Sequence, residues 1–249
     1  MQHRPASLNA LPSLLRTFCT TKKEEMELSE RAKYYLLKIK KDFNWSADKD
    51  ETKRYLEKQN FIPTEEILKF QANYSGLELK TNSNKRDKFS AYLFSKSQIA
   101  NNEPLEIEKV NEKFIFICGD HETAQFRFWL TDKGEICTVD DDDTLNILYS
   151  SFDKKIEEYA LKNEIQNWKQ NPYYFEIQSQ KELTSLMNSE FEIISECSDN
   201  YATWWKNENL IIANGVWLDR PERYFHVYGK EEKMCNQLVE RLQKTNILK

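Results

Sequence analysis

Four consecutive carboxylates, Asp140-Asp141-Asp142-Asp143, form the run of this chain that most invites a chemical role. Oxygen ligands at that density could hold Ca²⁺ or Mg²⁺. An EF-hand loop opening at Asp140 would need glycine at its sixth position, where the chain has Leu145. The run therefore reads as a solvated acidic turn between a strand ending at Val139 and a helix after Ser150, or as an acidic patch offered to a partner. Trp204-Trp205 is the second candidate contact. Neighbours in a strand point to opposite faces, so one ring could anchor a partner while the other enters the core. The competing reading folds both rings inward.

Catalytic constellations are harder to assemble. His121-Glu122 begins like a zinc-protease helix, but the fifth position is Gln125 where the second histidine must stand. His226 falls in a strand-like run and reads as a satisfied structural histidine or an exposed one rather than a catalytic base, and His3 lies near the terminus. The chain contains no GxSxG, GxxxxGK[ST] or GxGxxG pattern. Its five cysteines, Cys19, Cys118, Cys137, Cys197 and Cys235, have neither CxxC nor Cys/His zinc spacing. They are expected to be unpaired thiols in a reducing compartment, with Cys118, Cys137 and Cys197 as small buried hydrophobes. No catalytic residue, cofactor-binding residue or metal ligand is assigned, and stability is expected to need neither metal nor disulfide.

Composition narrows the partners. The 249 residues carry a net charge of −5, and residues 1–25 hold +2, so the body stands at −7. An acidic body repels phosphate backbones, which argues against nucleic acid and favours a basic protein partner. The basic cluster Lys85, Arg86 and Lys88 reads as a solvated loop. No run approaches the roughly 18 apolar residues of a membrane helix, so neither a membrane span nor a secretory signal is expected and the location reads as cytoplasmic. Up to Lys23 the chain has no acid, so residues 1–25 read as a disordered, mis-assigned or organelle-targeting extension before Met26.

The elements follow from periodicity. Leu28, Ala32, Tyr35, Leu36 and Ile39 form a helical stripe, and a second short helix is expected over Glu51 to Gln59. Pro63 and Thr64 can open a third helix with Ile67, Phe70 and Tyr74 on its buried face and Gly76 ending it. From Phe89 the period becomes two: strands are predicted at Phe89–Phe94, Lys113–Cys118, Gln125–Leu130 and Glu135–Val139, with Thr131-Asp132-Lys133-Gly134 turning the last pair. Ser150 is expected to cap a helix carrying Phe152, Ile156, Tyr159 and Ala160. A helix around Leu183, Leu186 and Met187 follows, then strands at Phe191–Cys197, Leu210–Ala213 and Tyr224–Tyr228. A final helix carries Met234, Leu238, Val239 and Leu242. The expected class is α+β: N-terminal helices, an antiparallel sheet of four to six strands flanked by helices over residues 26–178, and a smaller α+β unit, 179–249, packed onto it.

The segment Phe61 to Leu77 resembles the opening helix of the SUKH superfamily, the Smi/Knr-like proteins, in which a proline precedes an acidic amphipathic helix ending in a Tyr/Gly turn. Phe128-Trp129-Leu130-Thr131-Asp132-Lys133-Gly134-Glu135-Ile136 and Leu148-Tyr149-Ser150-Ser151-Phe152 resemble that family's strand, turn, strand and closing helix. The likeness covers roughly residues 50–165, with Ser75-Gly76 where the family commonly has paired glycines. The resemblance implies a non-enzymatic binding domain, many of whose relatives neutralise bacterial toxins as immunity proteins. On this reading a basic toxin domain, a nuclease being one candidate, is the partner, met by Asp140, Asp141, Asp142 and Asp143 and by Trp204 or Trp205. A regulatory scaffold with an endogenous partner and a hydrolase with an unrecognised site are the alternatives.

Overall fold

A computed structural model describes residues 28–81, 87–124, 126–140, 142–218 and 220–249. The extension 1–25, Lys85 and Arg86 of the basic cluster, Gln125 and Asp141 lie outside them. In chain order the elements are α1 (Glu30–Leu36), α2 (Lys49–Lys58), α3 (Glu65–Lys69), β1 (Glu78–Lys80), β2 (Lys88–Ala91), α4 (Lys96–Ala100), β3 (Glu108–Val110), β4 (Lys113–His121), β5 (Arg127–Thr131), β6 (Ile136–Val139), β7 (Leu145–Tyr149), α5 (Phe152–Glu164), β8 (Lys169–Gln170), α6 (Gln180–Glu190), β9 (Glu192–Ile193), β10 (Ala202–Lys206), β11 (Leu210–Trp217), β12 (Arg220–Gly229) and α7 (Glu232–Lys244). The protein is α+β, with an antiparallel sheet in the order β1-β2-β4-β5-β6-β7, β3 paired beside β2 on β4, and a second antiparallel sheet in the order β8-β12-β11-β10-β9.

Local signals set the first unit. Ser29 and Asp48 accept backbone N–H bonds at the starts of α1 and α2, the side-chain capping their polarity suits. The helix after Pro63 runs as α-helix only to Lys69 and widens into a π-turn over Phe70–Tyr74, with Ile67, Phe70 and Tyr74 buried as their spacing predicts. Gly76 ends it at φ 88°, where an added Cβ would stand 2.1 Å from the Asp42 carbonyl oxygen. Only glycine fits there. Gly134, φ 82°, turns β5 into β6. The aromatic core gathers Phe70, Phe89, Phe116, Phe128 and Phe152 beneath α1, α2 and α5.

The region after Val139 departs from expectation. Val139 does not lead straight to a helix; Asp140, Asp142 and Asp143 stand at the tip of a hairpin in which Thr138 pairs with Asn146 and Cys137 with Ile147. The cap of α5 is Ser151, which accepts from the Lys154 amide, while the Ser150 amide donates to Asp199 Oδ2 at 2.7 Å and so ties the helix start to the second unit. The strand expected at Phe191–Cys197 shortens to Glu192–Ile193, and Cys197 sits in the turn after it.

Two helices and one helix cover the two faces of the second sheet. Trp205, Ile212, Phe225 and Val227 pack against Leu183, Met187, Leu238 and Leu242 of α6 and α7. On the other face Trp204, Ala213 and Tyr228 pack against Leu161 and Ile165 from α5 and its end. The period-two alternation of the strand sends Trp204 and Trp205 to opposite sides, and both sides are covered. Both rings are 0% exposed. Neither can touch a partner, which corrects their assignment as contact residues.

Candidate functional site

Helix α5 lies between the two sheets, and every residue from Phe152 to Leu161 is buried. Five of those residues are charged, so each needs a partner in place of water. Asp153 accepts from the Tyr74 hydroxyl and from Lys69 Nζ, the latter at 2.8 Å. Lys154 donates to the Ser195 carbonyl at 2.8 Å. Glu157 receives the Ser29 amide at 2.6 Å, the Ser29 hydroxyl at 2.7 Å and Arg31 at 3.2 Å. Glu158 pairs with Lys162 at 2.6 Å.

Lys155 differs. It is 3% exposed, and its Nζ lies 4.2 Å from the centroid of Phe89, 4.8 Å from Tyr149, 5.0 Å from Phe128 and 5.5 Å from Tyr159. These rings attract the ammonium through their quadrupoles but accept no conventional hydrogen bond. Among the described residues its Nζ makes no hydrogen bond or ion pair to a protein group, only these ring contacts. Burial lowers its pKa to about 8, against the pull of Glu158 and with the push of Lys162.

Lys155 stands on the wall of a cleft of about 350 Å³ between the sheets. Tyr149, Phe128 and Tyr159 line it from the first unit, and Tyr173, Trp217 and Tyr224 from the second. Asp87 is on the same wall. Its carboxylate accepts from Tyr159 at 3.0 Å and Thr81 at 3.0 Å, and lies 3.1 Å from His121 Nε2. Burial would raise the Asp87 pKa, but the bond to His121, the charge of Lys162 and the two hydroxyl bonds outweigh it and hold the carboxyl well below its usual range. The Tyr149, Tyr159 and Tyr224 phenols are pushed up by burial first and by nearby carboxylates second. All three are neutral donors at physiological pH.

His121 thus belongs to the cleft wall; its other nitrogen, Nδ1, accepts from the Thr123 amide at 3.3 Å. Among the described residues no group of three His, Cys, Asp or Glu side chains could hold a metal, and no helix is long and apolar enough to cross a membrane. Cys118, Cys137, Cys197 and Cys235 are all buried and unpaired.

The acidic turn lies at the edge of this seam. Asp140, Asp142 and Asp143 are exposed. Asp140 is also structural: its Oδ1 accepts from the amides of Asp142 at 3.1 Å and Thr144 at 2.8 Å. Two residues back along the hairpin, the Thr138 hydroxyl donates to the Leu218 carbonyl at 2.7 Å, and Asn146 donates to the Trp217 carbonyl at 2.7 Å. The β6–β7 tip is thereby fastened to the β11–β12 tip, where Glu222 is exposed and Trp217 packs on Tyr173 with ring centroids 4.8 Å apart. Tyr173 is 38% exposed. The aspartates and a tryptophan do belong to the two hairpins joined here, but the tryptophan is Trp217 and not either member of the Trp pair. Trp217 closes β11 just beyond the expected strand Leu210–Ala213, and a longer reading of that strand's alternation is the signal that would have found it.

Comparison with known protein families, with curated proteins and with solved structures finds no match.

Proposed function

We propose that the protein is a non-enzymatic binding module of the immunity type, which neutralises a basic toxin domain in the cytoplasm through the end of the molecule where the two hairpin tips meet. The observation that carries this reading is the fastening of the β6–β7 hairpin to the β11–β12 hairpin: exposed Asp140, Asp142 and Asp143 stand on the first, exposed Glu222 and half-buried Trp217 on the second, and the partly exposed Tyr173 packs on Trp217. Carboxylates at a rim steer a positively charged partner, and a Trp–Tyr pair supplies the apolar contact that slows its departure. A toxin that handles nucleic acid carries the positive face such a rim would meet. The resemblance to the SUKH superfamily points the same way, and the buried unpaired thiols suit a reducing compartment.

The test is association kinetics with the toxin domain encoded beside this chain. Replacing Asp140 to Asp143 by asparagine keeps the Asp140 acceptor and removes the charge. The expected result is association slowed roughly tenfold at low salt, with a weaker salt dependence, unchanged unfolding and reduced protection of cells expressing the toxin. An unchanged association rate would leave the four aspartates as a solvated turn. A gene neighbourhood without any toxin, together with capture of an endogenous partner by the same surface, would instead favour a regulatory scaffold.

A further inference from the structure

The charged residues of α5 leave one account open. Asp153, Lys154, Glu157 and Glu158 each have a hydrogen-bonded or ion-paired partner, and Lys155, equally buried, has aromatic rings alone. The Lys155 ammonium faces the cleft with no protein acceptor for its three donors, and a charge-assisted bond to a guest's carboxylate would meet them. The acceptor cannot be a carboxylate already on the wall. Glu158 is held by Lys162 at 2.6 Å, and Asp87 is held by Tyr159, Thr81 and His121. The cleft's two lysines and two carboxylates balance in charge, so what Lys155 lacks is a hydrogen-bond acceptor for its own N–H groups, which a guest carboxylate would supply.

Shape and lining specify the rest. Tyr149, Phe128, Tyr173, Trp217 and Tyr224 put five rings around about 350 Å³. That volume is at the small end of organic-ligand sites, and aromatic walls of this kind favour a flat guest. We propose that the inter-sheet cleft is a binding site for a small planar organic carboxylate, its carboxylate seated on Lys155 Nζ and its ring between Tyr149 and Trp217. This inference does not rest on the protein partner proposed above: the cleft is intrinsic to the chain, and its occupancy can be measured without any toxin.

Benzoate is the probe, with benzyl alcohol as the uncharged ring and acetate as the carboxylate without a ring. Calorimetric or ligand-observed NMR titration of the full chain should give saturable 1:1 binding of benzoate with a Kd on the order of 1 mM or tighter, a modest demand for so few atoms. Benzyl alcohol and acetate should each bind at least roughly tenfold more weakly, since each lacks one half of the recognition. Lys155→Met, which replaces the ammonium by a side chain of similar length, should fold and lose benzoate binding roughly tenfold or more. Should that variant fail to fold, the wild-type chain still decides the matter: benzoate should protect Lys155, located by peptide mapping, from acylation by an amine-directed reagent, and benzyl alcohol should not. Absence of saturable benzoate binding, equal binding of benzyl alcohol, or benzoate affinity unchanged in Lys155→Met would each overturn the proposal.

Discussion

At the scale of single residues, His226 sets a pH limit on the fold. It lies on β12, 2% exposed, with neither ring nitrogen hydrogen-bonded among the described residues, and its ring packs 4.0 Å from Tyr173 and 4.5 Å from Tyr228 by centroid. Burial first, and the charge of Lys162 second, lower its pKa to about 3. In the unfolded chain the imidazole titrates near 6.5. Below that pH the unfolded state takes up a proton that the folded state refuses until about 3, so stability falls as the pH drops through this window. At pH 4.5 the loss attributable to His226 should approach about 2–3 kcal/mol. His226→Phe keeps a ring among rings and removes the titration. Denaturant unfolding at pH 7.0 and 4.5 should therefore show the variant losing less stability than the wild type, and parallel losses would remove His226 from the acid limit. Sequence placed this histidine in a strand, there either satisfied or exposed; it is neither, because Tyr173 and Tyr228 pack on the ring and leave both nitrogens unpaired. Lys155 was hidden for a related reason. Phe152-Asp153-Lys154-Lys155-Ile156 reads as an amphipathic helix with one wet face, and the second sheet dries that face.

At the scale of elements, legibility follows the range of the signal. Helix α3 was readable because its cues are local: Pro63 and Thr64 before it, Glu65 and Glu66 in its first turn, Gly76 with positive φ after it. The β5–β6 turn was readable for the same reason. Strand β7 was not. Leu145-Asn146-Ile147-Leu148-Tyr149 has no clean alternation, and its pairing with β6 depends on how the acidic turn closes. Asp140 closes that turn by accepting two amides, while Asp143 adopts φ 57°, a conformation aspartate tolerates. Asp140→Ala should accordingly cost about 1–2 kcal/mol, whereas Asp142→Ala, with an exposed side chain, should stay within about 0.5 kcal/mol of wild type. Urea unfolding of the two single variants checks this. Equal effects would mean that the backbone of the turn, and not the Asp140 carboxylate, sets the hairpin register.

At the scale of the whole molecule, the two sheets are coupled through α5 and a short set of polar bonds, and Asp199 is the most connected of these. Its Oδ1 accepts from the Tyr201 amide at 2.7 Å and the Ala202 amide at 2.8 Å, which order the approach to β10, while Oδ2 accepts from Ser150 at the start of α5. Around it Lys154 reaches the Ser195 carbonyl, and the Tyr201 hydroxyl reaches Glu135 at 3.3 Å. Most of these contacts join residues more than 40 positions apart, so no local pattern announces them, and the packing of the C-terminal unit was legible only as an expectation. Removing the Asp199 carboxylate leaves three amides without their acceptor, two of them within the second unit and one in the first. Asp199→Ala should therefore cost about 2–4 kcal/mol, and the loss should be felt on both sides of the seam. Hydrogen exchange distinguishes this from a local defect: amides of α5 and of β10 and β11 should lose protection together in Asp199→Ala. Faster exchange confined to residues 194–202, with α5 as protected as before, would mean that Asp199 orders its own turn and that burial of Trp204 and Tyr228 against Leu161 and Ile165 is what holds the second sheet to α5.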